Sequence, residues 1–197
     1  MLVAASRLIG TPVLSVQSSG PIGTLGNPIV DPDTLKILAF VVDGPLTRRG
    51  PNILDVKSIR EYSSYGCVID SIEELVEPND VIRISEVLPL NFALPGLHVE
   101  TKKGSKLGRV VDYTVTSEDF IVQQIIVKRP LIKSFTDPEL TISKKEIVEI
   151  TDYKIIVKDE EKTLKARSEN EDFIPNFVNP FRDYNKDLTP ADSKKDN

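Results

Sequence analysis

An internal repeat constrains this chain more than any other feature of its sequence. Ile22-Gly-Thr-Leu-Gly-Asn-Pro-Ile-Val30 lies over Leu107-Gly-Arg-Val-Val-Asp-Tyr-Thr-Val115, both an apolar–Gly start followed by an apolar pattern ending in Val. At the same offset Phe40-Val-Val42 falls on Ile125-Ile-Val127. Further on the offset lengthens by three residues, so that Leu54 matches Ile142, Ile59 matches Ile147, Tyr65 matches Tyr153, and Val68-Ile69 match Ile156-Val157. An insertion near Lys133–Pro138 accounts for the slip, because loops accept added length at little cost. A repeat of this size means two copies of one supersecondary unit, each too small to bury much surface alone.

The apolar residues are mostly Ile, Val and Leu, with no Trp and one Met, a bias that favours strands. The first copy reads as strands over Pro12–Val16, Thr24–Val30, Ile37–Val42, Asn52–Asp55 and Cys67–Ile69. The second reads as strands over His98–Thr101, Gly108–Thr114, Ile121–Lys128, Leu140–Ser143 and Lys154–Val157. Turn chemistry separates them. Asp31-Pro32-Asp33-Thr34 places Pro where its fixed φ suits a turn, and Ser18–Pro21 and Lys102–Ser105 are the matching earlier turns. Gly23 and Gly108 occupy equivalent places, which predicts a backbone position needing positive φ or close approach of another strand. Strands this short and closely spaced predict an all-β fold of two tandem small barrels.

These expectations divide the chain into a first barrel at 1–70, a linker at 71–95, a second barrel at 96–160 and a disordered polar tail at 161–197. In the linker, Ser71-Ile-Glu-Glu74 has capping-box spacing and predicts a short helix Ile72–Val76, while the weak alternation of Val81–Ile84 predicts an extra strand. Two units packed together would conceal more apolar surface than either alone, so an intramolecular pseudo-dimer is expected.

The residues Leu97-His-Val-Glu-Thr-Lys-Lys-Gly-Ser-Lys-Leu-Gly-Arg-Val-Val-Asp-Tyr113 resemble the PRC-barrel domain, and Arg7-Leu-Ile-Gly-Thr-Pro-Val-Leu14 with Ile22-Gly23 carries the first copy. Together the copies cover about four-fifths of the chain, and the motif is mostly an apolar pattern around one glycine. That family includes the cytoplasmic part of the photosynthetic reaction-centre H subunit and the C-terminal half of a bacterial 16S ribosomal RNA processing factor. The resemblance implies a barrel that docks other macromolecules and has no catalytic residues to carry over. Here a second barrel stands where the ribosome factor has a different N-terminal domain, and no membrane helix precedes the barrel as in the reaction-centre branch.

Candidate chemistry is sparse. His98 is the single histidine and reads as an ordinary strand-edge residue beside Glu100. Cys67 sits in an apolar run and reads as a small buried hydrophobe; one cysteine excludes an internal disulfide or a cysteine-rich zinc site. Gly20-Pro-Ile-Gly23-Thr-Leu-Gly26 lacks the Gly-Lys-Ser/Thr ending of a phosphate loop and reads as a turn with strand glycines. Asp31 and Asp33 are too few for a cation site and read as turn residues. No cofactor, metal or catalytic set is expected, so the chain reads as a binding protein and not an enzyme.

Two places stand out as partner-binding candidates. Lys102, Lys103, Lys106 and Arg109 cluster around the first turn of the second copy and read as a solvated hairpin tip or, in the functional reading, as a docking patch for an acidic partner or phosphate. Phe173, Phe177, Phe181 and Tyr184 lie in a polar tail, where disordered chains are usually poor in aromatics, and read either as a segment that folds back onto a barrel groove or as a short linear motif for a partner. Net charge is -5 overall, but residues 97–158 carry 11 basic and 9 acidic side chains, so the second copy alone is mildly basic. Nucleic-acid modules are usually far more basic. A protein partner is therefore the first expectation, RNA or the ribosome the alternative, and self-association a third. No run of about 18 apolar residues occurs and the N-terminus makes a poor signal peptide, which predicts a soluble cytoplasmic protein without a membrane span.

Overall fold

The computed structural model describes residues 1–45, 52–63, 65–130 and 138–159. Met1–Asp159 forms one compact unit, and residues 160–197 lie outside the described residues. The tail 161–197 with its aromatic motif therefore falls outside the described residues, as does most of the loop assigned the three-residue insertion.

The fold is mostly β. A lead-in strand β1 (Leu2–Ala4) and one helical turn α1 (Ala5–Leu8) precede β2 (Pro12–Ser15), β3 (Gly20–Asp31), β4 (Lys36–Asp43), β5 (Ile53–Asp55), β6 (Glu61–Ser63) and β7 (Gly66–Ile69). A linker follows with β8 (Leu75–Val76) and α2 (Ile82–Val87), then β9 (His98–Thr101), β10 (Lys106–Thr116), β11 (Val122–Lys128), β12 (Glu139–Ser143), β13 (Ile147–Ile150) and β14 (Lys154–Val157). Two curled sheets result. One runs β6-β7-β2-β3-β4-β5-β8 and the other β13-β14-β9-β10-β11-β12, with β1 paired to β10. Apart from β8 and β1, the two orders are the same series of strands.

Registers confirm the repeat residue by residue. Val13 faces Gly23 across β2–β3 as Val99 faces Gly108 across β9–β10. Phe40 pairs with Leu54 as Ile125 pairs with Ile142, and the parallel pairs Val13–Cys67 and Val99–Ile155 are likewise equivalent. The short 3-10 turns after β5 and β12 are capped alike: Asp55 accepts from the Lys57 N–H, and Ser143 from the Lys145 N–H. Such caps satisfy a backbone donor left free at the start of a turn.

The linker corrects two expectations. Val81–Ile84 is not a strand: α2 starts at Ile82, and Ile84 and Val87 share its buried face at helical spacing. They pack with Ile29, Ala39 and Ile53 on the outer face of the first sheet, which is apolar for that reason. The equivalent residues of the second sheet are Thr114, Gln124 and Thr141, which are polar. The helix predicted over Ile72–Val76 is cut short: only a 3-10 turn, Ile72–Glu74, forms, with Ser71 accepting from the Glu73 N–H, and Leu75–Val76 is the strand β8, paired with β5.

Each copy sends its lead-in to the other sheet. Leu2 to Ala4 pair with Thr116 to Thr114 of β10, and α1 packs on the same strand. Conversely α2, which leads into the second copy, packs on β3. Between them the hairpin tips meet: Lys36 bridges Ile121, the Ile37 N–H donates to the Phe120 carbonyl at 3.0 Å, and the Val122 N–H donates to the Leu35 carbonyl at 2.9 Å. Leu35 and Phe120 are equivalent and both hold φ of 55°, a costly conformation for bulky side chains. Both are buried, and Phe120 lies edge-on to Phe40 and Tyr62 of the first sheet. Consistent with these reciprocal contacts, one apolar core runs continuously from Val3 to Val157, with no gap at the boundaries drawn at 70 and 96.

Candidate docking surface

The second-copy hairpin between β9 and β10 is held firmly. Gly104, at φ 80°, closes the turn and donates to the Thr101 carbonyl, and Ser105 donates its N–H to the Thr101 hydroxyl at 3.2 Å. The Lys102 N–H is tied to the Val157 carbonyl and the Lys103 N–H to Asp159 Oδ1. Lys102 and Lys103 thus occupy an exposed but anchored tip.

Beyond the tip the register shifts between Lys106 and Gly108, so Lys106 pairs with Glu100 and Arg109 with His98. Residues at odd spacing normally face opposite ways; this bulge returns Arg109 to the face of Lys106. Gly108 makes the bulge possible. Its φ is 149°, and a Cβ there would strike the Lys128 backbone carbonyl. The equivalent Gly23 lacks a positive φ, but its Cβ would lie 2.6 Å from the Asp43 carbonyl oxygen, so both glycines serve close approach of the next strand.

Residues directly opposite in neighbouring strands share one face. Lys154 pairs with His98, His98 with Arg109, and Arg109 with Lys128, which gives one row across β14, β9, β10 and β11. The adjoining residues Ile155, Val99, Val110 and Val127 on the same strands are all buried, so the row faces outward. With adjacent strands about 4.8 Å apart, its four members span about 14 Å. Lys154 is paired with Glu100 at 3.4 Å, whereas Arg109 and Lys128 are exposed and make no ion pair with the described residues. The equivalent row on the first sheet is Gly66, Pro12, Thr24 and Asp43. The structure therefore brings Lys106 and Arg109 of the predicted cluster together on one face and adds Lys128, Lys154 and His98. Sequence reasoning missed the last three because strand register, not sequence proximity, assembles them.

The remaining candidates resolve into structural roles. Cys67 is fully buried, and burial pushes its thiol up to about 12. Such a thiol is unreactive while the fold is intact. Gly20 to Gly26 lie within β3. The carboxylates of Asp31 and Asp33 are taken by Arg83 of α2, at 2.8 Å and 3.0 Å, and Arg83 also reaches Glu86 at 3.3 Å. Burial alone would raise the Asp31 pKa, but hydrogen bonds from Arg83, the Asp33 N–H and Thr34 outweigh it and hold the carboxyl below its usual value. This clamp fastens the linker to the first sheet and was invisible in sequence, where Arg83 stands 52 residues from Asp31.

A cleft of about 400 Å³ opens where the two copies meet, bordered by Ile9, Pro28, Phe92, Val111 and Asp112. The Asp112 carboxylate there is already engaged by the Ser6 hydroxyl at 2.6 Å and the Ser6 and Tyr113 N–H groups. Among the described residues no three His, Cys, Asp or Glu side chains converge as a metal site, and no helix is long and apolar enough to cross a membrane. Phe173, Phe177, Phe181 and Tyr184 lie outside the described residues. No protein-family model matches the sequence, and no curated protein aligns with it.

Proposed function

We propose that this chain is a non-enzymatic docking protein, two PRC-barrel-type repeats joined into one platform that presents a basic face of the second repeat to a protein partner in a larger assembly. The asymmetry of the outward rows carries this reading. Topology and registers are shared by the two sheets, yet Lys154, His98, Arg109 and Lys128 stand where the first sheet has Gly66, Pro12, Thr24 and Asp43. Like charges placed directly opposite across a ladder cost stability. An opposed Arg109–Lys128 pair on a scaffold that folds without it in the other copy is better explained by what it binds than by the fold. A reduced, cytoplasmic setting agrees with the single buried thiol.

Affinity capture from a cell lysate tests the reading, comparing the protein with an Arg109→Glu/Lys128→Glu variant and with a Thr24→Glu control on the first sheet. Partners retained by the protein and the control but lost from the double variant are expected. Identical partner sets from all three remove the face from the function.

A second reading, association with RNA or the ribosome, draws on Tyr153, which is 71% exposed beside Lys154 and available for base stacking. Co-sedimentation with ribosomal particles at low and moderate salt is its signature; its absence at both salts ends that reading.

A further inference from the structure

Resting on the docking reading, we infer that the ligand of the basic row is a short acidic polypeptide segment, extended across the strands, with carboxylates at alternate positions. In an extended chain the side chains of one face recur every second residue, about 6.7 Å apart, so three of them cover about 13 Å. That matches the span of about 14 Å from Lys154 to Lys128 across three strand spacings. Arg109 and Lys128 supply two cations unpaired within the described residues, and the Arg109 guanidinium is suited to bidentate contact with a carboxylate.

The surroundings select a short ligand over a long polyanion. Glu139 faces Lys128 on β12, Glu100 holds Lys154 beside the row, and Asp159 sits at the hairpin tip. A nucleic-acid strand continuing past either end of the row would meet these carboxylates, and the whole chain carries a net charge of -5. A segment of five or six residues ends before it reaches Glu139 or Asp159, and the charge of Glu100 is already met by Lys154.

Fluorescence anisotropy with two labelled probes, an alternating Glu-Ser hexapeptide and a ten-nucleotide oligouridylate, tests this on the full chain. The peptide is expected to bind more tightly than the oligonucleotide, to lose at least tenfold in affinity in Arg109→Glu/Lys128→Glu, and to keep its affinity in Thr24→Glu. An Arg109→Gln/Lys128→Gln variant, whose melting temperature is measured alongside, should give a smaller loss in the same direction. Tighter binding of oligouridylate, peptide binding indifferent to both double variants, or no peptide binding at low salt would each overturn the inference. Loss of lysate partners from the charge-reversed variant, with no binding of the peptide, would leave the docking reading standing while removing this ligand.

Discussion

A methyl group at Gly108 has nowhere to go, since the Lys128 carbonyl of the adjacent strand fills the space and the φ of 149° is strained for any other residue. Gly108→Ala should therefore destabilise the protein by roughly 2–3 kcal/mol, read as a lowered urea midpoint with an unchanged slope. Because the bulge also aims Arg109, the same variant should weaken any ligand that depends on the basic row. Asp31 acts differently. Its side chain is 4% exposed while that of its partner Arg83 is 45% exposed, so Arg83→Met leaves a buried carboxylate short of a donor. We expect a lowered urea midpoint, by less than breaking a fully buried pair would cause, because Arg83 is solvated. The pH dependence follows from the sign of the shift. The folded pKa of Asp31 lies below the unfolded value near 3.8, so its contribution is complete above about pH 5 and is lost as pH falls through the folded pKa. Asp31→Asn should lower the melting temperature at pH 7 and flatten its decline between pH 4 and pH 2. A residual slope should remain from Asp119, whose pKa is lowered chiefly by the Thr116 hydroxyl.

Strands were the legible elements because their signals are local. Alternation, β-branched residues and turn glycines marked ten of them, and the matched pairs Phe40–Ile125 and Leu54–Ile142 sit in equivalent registers. Four escaped: β1, β6 and β8 have three residues or fewer, and β13 has no buried residue to mark an apolar stripe. The strand expected at Val81–Ile84 misled because four residues cannot separate alternation from one face of a helix. Contacts made between the copies had no local signal at all. Nothing near Leu35 or Phe120 announces φ of 55°, a conformation usually left to Gly or Asn, and it is the reciprocal bonds Ile37 N–H to Phe120 and Val122 N–H to Leu35 that hold it. The candidate site was half legible: Lys106 and Arg109 are close in sequence, whereas Lys128 and Lys154 reach them only through the ladders. At this scale Phe120→Ala should cost about 3 kcal/mol, since it empties a site packed against Phe40 and Tyr62. The decisive sign is where it acts, because a residue of the second copy should loosen amide protection in β4 and β6 of the first, measured by hydrogen exchange.

At the scale of the whole unit, the question is whether two sheets with one pattern behave as two domains. Each copy gives its lead-in to the other sheet, each hairpin tip closes on its counterpart, and the buried side chains form one continuous cluster across both. An isologous seam of this kind is what a homodimer uses, here within one chain. Such a unit should unfold in a single step. Cys67 provides the reporter: it is buried in the first sheet, its thiol is held at about 12, and labelling by an alkylating reagent at pH 8 requires opening. Ile155, its equivalent in the second sheet, is fully buried too, and Ile155→Ala should cost about 2–3 kcal/mol. If the seam couples the sheets, this distant cavity should raise the labelling rate of Cys67 on the order of a hundredfold, in step with the loss of global stability. Two sheets that open independently would leave the rate at Cys67 unchanged, because no strand of the second sheet pairs with the strand that carries it.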